Sequence, residues 1–394
     1  MRRLARSGWL LLGAAVAVLA VASVTAAAIR AHSNGCIFDD GAAYCRMASG
    51  KLAQLPWARR VAVPALVSWL PGGWSMAVRF QLVALVASAG ATVATALLTL
   101  RLVRERATPR VAYPAAVAAG ALVALSPHLF RMALTEPVLV DQAAIFLGLV
   151  WCLLVTARAS SLRWLSPLAV LLLVPTREAW VLPLLVATSV LWWMRQRPLA
   201  AATLVATLAS AAFTLTRPRA PSGYSTTTQV LHDGRVTLTH PDHALWAVFF
   251  GVGLVAALGL VLFMRRERLR GPIGLVLGVA CAHLVQAPLA GTDVSRYAAA
   301  ALPFAIVLAI VAAVEVGTTR AFRALVALTA ATALLWQPFR IAGAGVRSYA
   351  SMYYPAGAGS TAIALGGLAL IAAALIWVLR SDGAIARPPA EATP

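Results

Sequence analysis

Apolar residues in this chain come in long blocks, separated by short polar stretches rich in arginine, and not in the two-residue alternation of a half-buried strand. Judged against the roughly 20 residues needed to cross a bilayer, the blocks fall near 9–29, 78–100, 111–127, 138–157, 165–175, 179–194, 199–216, 244–264, 272–290, 297–315, 324–336 and 361–380. The pattern predicts an all-α polytopic membrane protein, a single integral membrane domain over 1–394 with about 11–12 transmembrane or half-membrane helices. Its longest interruptions are 30–77, 217–243 and 337–360, and residues 381–394 form a tail. No internal repeat or low-complexity block is apparent.

Flanking arginines set the direction of each block. Arg158 and Arg163 precede the two short blocks around Pro175, and Arg195 with Arg197 follows them. Both clusters lie on the cytoplasmic side if the chain enters and returns. A half-membrane hairpin with Thr176-Arg177-Glu178 at its tip is therefore expected, and one broken helix is the alternative. Arg104 and Arg106, Arg265 to Arg270, Arg320 and Arg323, and Arg380 then also lie inside, which makes both termini cytoplasmic. The first block is too long for the apolar core of a secretory signal, so it is read as an uncleaved anchor. The outer side collects Asp39, Asp40, Glu136, Asp141, Glu178, Asp233, Asp242 and Asp293.

The first outer loop, 30–77, is apolar from Leu55 to Trp74 and carries Arg59 and Arg60; it is expected to lie along the membrane surface in juxtamembrane helices. The second, 217–243, sets His232-Asp233-Gly234-Arg235 between runs rich in β-branched residues, a β-hairpin signal. The third, 337–360, mixes Arg347 and tyrosines with glycines and is a candidate cleft wall.

Composition agrees with this class. Hydrophobic residues make up 61% of the 394 and the formal charge is +20. The arginines are dispersed between apolar runs, so the charge is read as topology and not as a nucleic-acid surface. Cys152 and Cys281 fall inside blocks and are assigned to packing. Cys36 and Cys45 flank the double aspartate on the outer side, where a disulfide persists, and are a candidate bridge.

Candidate chemistry gathers at the outer polar stretches. Asp40, Tyr44 and Ala48 recur at i, i+4 and i+8, one face of a helix that Asp39 would cap. As a cap and a solvated acid the two aspartates are structural. As a carboxylate held beside lipid, Asp40, with Asp39 as the backup, is a general base for a substrate hydroxyl. Glu136 and Asp141 sit in L-T-E-P-V-L-V-D-Q, and a carboxylate at the depth of Asp141 costs roughly 2.5–3.5 kcal/mol unless it faces a polar interior. Arg177 and Glu178 are either a self-neutralising pair or, because neighbours point apart, two groups that each need another partner. Asp293, Arg296 and Tyr297 open a late block; Arg296 either pairs with Asp293 or meets a phosphate with its guanidinium fork. Arg59, Arg60, Arg79, Arg131, Arg340 and Arg347 place excess positive charge outside, as an anionic lipid headgroup or phosphate would require. His232, His240 and His243 with Asp233 and Asp242 lack a compact ligand spacing, so no metal site is assigned. Walker, His-Glu-x-x-His, Gly-x-Ser-x-Gly and dinucleotide motifs are absent.

The succession Asp40-x-x-x-Tyr44-x-x-x-Ala48, P-W-A-R-R-V-A-V-P-A-L, L-T-E-P-V-L-V-D-Q, V-P-T-R-E-A-W and D-V-S-R-Y-A-A-A-A-L-P-F resembles, in order, the outer-face segments of GT-C-fold membrane glycosyltransferases. The resemblance implies a GT-C-like bundle in a bacterial cytoplasmic membrane, acting as a hexosyl- or pentosyltransferase. The donor would be a polyprenyl-phosphate sugar and the acceptor a hydroxyl of a glycan, lipid or protein on the outer face. Carried over by position, Asp40 is the base, Tyr44, Glu136, Asp141, Arg177 and Glu178 line the sugar and acceptor cavity beside Asp293 and Tyr297, and Arg296 takes the lipid phosphate. Transfer would proceed in one inverting step. Gly41 stands where many relatives carry a second acid. No cofactor is assigned, and a divalent metal stays open, as do the sugar and the acceptor. A transporter or lipid flippase with intramembrane acids, or a non-catalytic partner in an envelope complex, is the competing reading.

Overall fold

The computed structural model describes residues 39–124, 140–239, 271–289 and 294–316, with residues 36, 129, 132–135 and 138. Among the described residues every element is helical. The helices are α1 (Asp39–Ala48), α2 (Ala62–Ser68), α3 (Met76–Val103), α4 (Pro109–Ala124), α5 (Met132–Thr135), α6 (Asp141–Val155), α7 (Ser160–Arg163), α8 (Ser166–Thr176), α9 (Val181–Trp193), α10 (Arg197–Thr216), α11 (Thr226–Thr239), α12 (Pro272–Gln286), α13 (Val294–Ala299) and α14 (Leu302–Val316). Two of them, α3 and α10, are long and apolar enough to cross a membrane; α4, α6, α9, α12 and α14 are shorter apolar helices. The blocks at 9–29, 244–264, 324–336 and 361–380, the loop 337–360 and the tail lie outside the described residues, as do Arg131, His240, Asp242 and His243.

The backbone of the bundle is α3. Ser75 caps its first turn by accepting from the Val78 amide, and 28 helical residues follow. Small residues let its neighbours come close: Gly120 of α4 backs onto Thr92 and Ala96, and Gly90 of α3 faces the Phe146 ring of α6. Buried Ser and Thr hydroxyls need no outside partner where they bond the carbonyl one turn back, as Thr92, Thr95 and Thr99 do. α14 packs against α3, α4 and α12, and its residues from Phe304 to Ala313 are buried.

The chain direction follows from a few contacts. α6 starts at Asp141, and α8 ends where Arg177 touches Asp141, so α8 returns antiparallel to α6. Trp180, just ahead of α9, lies against His283, while Val186 and Val190 lie against Gly278, so α9 runs antiparallel to α12. A tight turn with Arg195 at φ 62° joins α9 to α10. α10 packs along both α8 and α9, and just beyond it the Ala220 amide bonds the Ala53 carbonyl. The chain therefore reverses at Arg177-Glu178, and α8 and α9 are two arms, not one broken helix. At about 1.5 Å per residue the arms reach about 16 and 20 Å, short of a bilayer core of about 30 Å.

The expected β-hairpin in 217–243 is not formed. Residues 226–239 are helix α11, with Ser225 accepting from the Thr228 amide at its start and Gln229 donating to Asp233 one turn on. Asp233-Gly234 sits inside this helix, and Gly234 is the point where Leu289 comes within 3.4 Å of a built Cβ. Packing against residues 287–289 and local i,i+4 bonds override the turn signal.

Candidate functional site

The double aspartate lies on α1, which rests on the top of α3. Tyr44, Cys45 and Ala48 bury one face of α1 against Val63, Val67, Phe80, Val138 and Val140, which fixes the height and rotation of Asp40. Cys36 and Cys45 form a disulfide, tying the residues before α1 to its second turn. α1 begins at Asp39, so Asp39 is its first helical residue and not the residue before it, a one-position difference within the softness of helix ends. The side chain of Asp39 lies outside the described residues. Asp40 is half-buried and accepts from the indole Nε1 of Trp57 through Oδ1.

Beneath Asp40, Arg60 joins two separate parts of the chain. Its side chain is 4% exposed; Nε and Nη2 donate to the two carboxylate oxygens of Glu178 at 2.7–3.1 Å, and Nη1 donates to the Tyr44 hydroxyl at 2.8 Å. This fork is the strong geometry for guanidinium and carboxylate. Burial alone would raise the Glu178 carboxyl, but the charge and hydrogen bonds of Arg60 outweigh it and hold it at about 2. Burial likewise opposes the charge on Arg60, and Glu178 overcomes it, so Arg60 is held above its ordinary value. Burial pushes the Tyr44 phenol up, which keeps its proton on.

The hairpin tip separates its two charged residues. Arg177 is extended, φ −155° and ψ 112°, between α8 and a 3₁₀ turn at Glu178–Trp180. Glu178 turns towards Arg60, while Arg177 turns inward, its Nη1 2.9 Å from Asp141 Oδ1 and its guanidinium over the Tyr297 ring at 4.6 Å. The two are thus not a self-neutralising pair; each has the second partner that adjacent residues on a turn require. A cavity beside Arg177 is lined by Asp141, Trp180, His283, Gln286 and Tyr297. Trp180 forms its floor, edge-on to His283 at 4.4 Å and to Phe304 at 5.9 Å.

Five of the residues singled out from the sequence, Asp40, Tyr44, Asp141, Arg177 and Glu178, thus join one polar cluster, with Tyr297 beneath it. Glu136, Asp293 and the side chain of Arg296 lie outside the described residues. Arg60, expected among the outer arginines for an anionic headgroup or phosphate, is instead bonded to Glu178 and Tyr44, and Trp57 is legible in the sequence only as part of an apolar surface segment. His283 and Gln286 belong to none of the sequence motifs; the signal that points to them is two polar groups three apart in an apolar block, which face inward. Among the described residues no group of three His, Cys, Asp or Glu stands close enough to hold a metal. Comparison with known protein families, with curated proteins and with solved structures found no match.

Proposed function

We propose that this chain is a GT-C-type membrane glycosyltransferase that moves a sugar from a polyprenyl-phosphate donor to a hydroxyl acceptor on the outer face of the cytoplasmic membrane, with inversion. One observation carries the reading. Four stretches that resemble that family in order, those of Asp40-Tyr44, Trp57-Arg60, Asp141 and Arg177-Glu178, meet as one polar cluster at one end of an apolar bundle.

The surface of the bundle supports membrane embedding. Leu168, Leu171, Leu172, Val205, Leu208 and Phe213 are large apolar side chains exposed on α8 and α10. Exposed tryptophans stand at both ends, Trp69 and Trp74 at the polar-cluster end and Trp164, Trp192 and Trp193 at the other, as in the aromatic belts of membrane proteins. Arg104, Arg106, Arg110, Arg158, Arg195 and Arg197 gather at the end away from the cluster, which supports placing that end in the cytoplasm.

In this mechanism the acceptor hydroxyl gives its proton to the Asp40 carboxylate as its oxygen attacks the anomeric carbon. The bond from that carbon to the phosphate oxygen breaks on the opposite face, and the polyprenyl phosphate leaves with the electron pair. Trp57 orients the carboxylate through one oxygen. Arg60 and Glu178 lock the hairpin tip to α1, so that the base and the inner cavity keep a fixed separation. Arg296 is the residue assigned to the leaving phosphate.

The test is sugar transfer in membranes given radiolabelled polyprenyl-phosphate sugars, wild type against Asp40→Asn. Loss of a general base predicts a fall of about 10²–10⁴-fold. Equal labelling at equal expression removes Asp40 from the role of base. Absence of labelling by wild type with any donor, arabinosyl, mannosyl or glucosyl, removes the transferase reading.

A further inference from the structure

Among the described residues, two buried hydrogen-bond donors beside the Arg177 cavity are left without a partner, a local surplus of donors. Arg177 is 3% exposed and among the described residues its Nη2 has no hydrogen-bond partner; its flat face is covered by Tyr297, so only the edge of the guanidinium remains to bond. His283 is 1% exposed. Its Nδ1 lies 3.0 Å from the Gln286 Nε2; with the amide in this orientation the amide nitrogen donates, Nδ1 accepts, and the proton of the neutral ring sits on Nε2. Among the described residues that Nε2 also has no hydrogen-bond partner. Buried donors left unsatisfied are costly, and native interiors rarely keep two beside one cavity without an occupant.

The occupant can be deduced from charge and room. The cationic Arg177 already faces the carboxylate of Asp141 at 2.9 Å, and Arg60 is matched to Glu178, so the cluster carries no surplus positive charge for an anion. A neutral hydroxyl fits better. Its oxygen accepts two hydrogen bonds and its proton is donated once, which answers two donors and one carboxylate. The free space is about 290 Å³ counting the part open to solvent, while its room for an oxygen-sized group is about 10 Å³, the space of one hydroxyl or one water. Trp180 and Tyr297 supply the apolar ring surfaces that C–H faces of a polyol pack against.

We infer that the Arg177–His283 cavity reads a single hydroxyl of a neutral sugar, which accepts from Arg177 Nη2 and His283 Nε2 and donates to Asp141. His283 is then a specificity residue. Its choice of a sugar over another polyol rests on the glycosyltransferase reading; the donor surplus does not. A site built to hydrogen-bond a hydroxyl discriminates strongly against the analogue that lacks it, because its donors are then stranded.

Saturation-transfer NMR on the purified protein in detergent tests this with methyl glycosides of mannose, glucose and arabinose and their monodeoxy analogues. His283→Phe keeps an aromatic ring against Trp180 and Phe304 and removes both nitrogens; Arg177→Gln is the second variant, and each is used only if its unfolding midpoint stays near that of wild type. At least one glycoside is expected to bind wild type at least tenfold better than one of its deoxy analogues, and His283→Phe is expected to bring the two within about twofold. If no glycoside binds, or if His283→Phe keeps the tenfold preference, the cavity holds water only and the inference is overturned. Glycoside binding without transfer activity leaves this site standing and removes the transferase reading, whereas transfer with unchanged deoxy discrimination in His283→Phe does the reverse.

Discussion

Arg60 shows how much a single side chain can settle. It closes a contact between residues 118 apart, and the turn that presents Arg177 and Glu178 keeps its shape because one of them is claimed by Arg60 and the other by Asp141. Removing Arg60 strands a carboxylate that is 26% exposed. Arg60→Ala is therefore expected to lower stability by about 2–3 kcal/mol, below the roughly 3–5 kcal/mol for breaking a fully buried pair because Glu178 is partly exposed, read from chemical unfolding in detergent. The pair also sets a pH window. Glu178 is held at about 2 against an ordinary 4.5, so its contribution is complete above about pH 4.5 and is lost as pH falls towards 2. The stability advantage of wild type over Glu178→Gln is expected to shrink across that interval; an advantage that stays constant from pH 7 to 2 rules out this origin. The i, i+4, i+8 spacing of Asp40, Tyr44 and Ala48 was legible in the sequence because helical periodicity is local. The partner of Glu178 was not, because nothing in V-P-T-R-E-A-W points to a residue in P-W-A-R-R.

At the scale of elements the apolar blocks and their arginine flanks carried most of what the helices turned out to be. α3, α4, α6, α8, α9, α10, α12 and α14 overlap the expected blocks, with ends that differ by up to five residues, and the reversal at Arg177 follows from the same charges. The miss is α11. Asp-Gly between β-branched runs is a turn signal only when a second strand is there to pair, and here residues 287–289 offer a helix a seat instead. Glycine also carries information at this scale that sequence does not reveal. A Cβ on Gly148 would lie 2.0 Å from the Trp180 ring, which His283 and Phe304 hold from the other sides, so neither can yield. Gly278 is milder, 3.3 Å from methyls of Val186 and Val190. Gly148→Ala is expected to cost about 1–3 kcal/mol and to change Trp180 fluorescence, and Gly278→Ala to cost less. A thermal series in which Gly278→Ala is the more damaging contradicts the packing described for α6 and Trp180.

For the whole molecule, the separation of charge types becomes an orientation. The polar cluster and the disulfide stand at one end, and an arginine-rich rim with exposed tryptophans stands at the other, with exposed leucines and valines between them. A soluble protein would leave that apolar band as an aggregation surface; in lipid it is the contact face. Positive rims stay cytoplasmic, so the cluster is expected to face outward, where a disulfide persists. Two exposed sites separate the ends: Gly223, with nothing among the described residues within 4 Å of an added Cβ, at the cluster end, and Ser161 between α6 and α8 at the rim. With Cys152 and Cys281 replaced by alanine, Gly223→Cys is expected to react with a membrane-impermeant maleimide on intact cells, and Ser161→Cys only after the membrane is opened. The reverse order inverts the topology and puts Asp40 on the cytoplasmic side, away from any outer-face acceptor. Reaction of both sites in intact cells means that the bundle does not separate two compartments, and the exposed leucines of α8 and α10 then have to be covered by another protein surface instead of lipid.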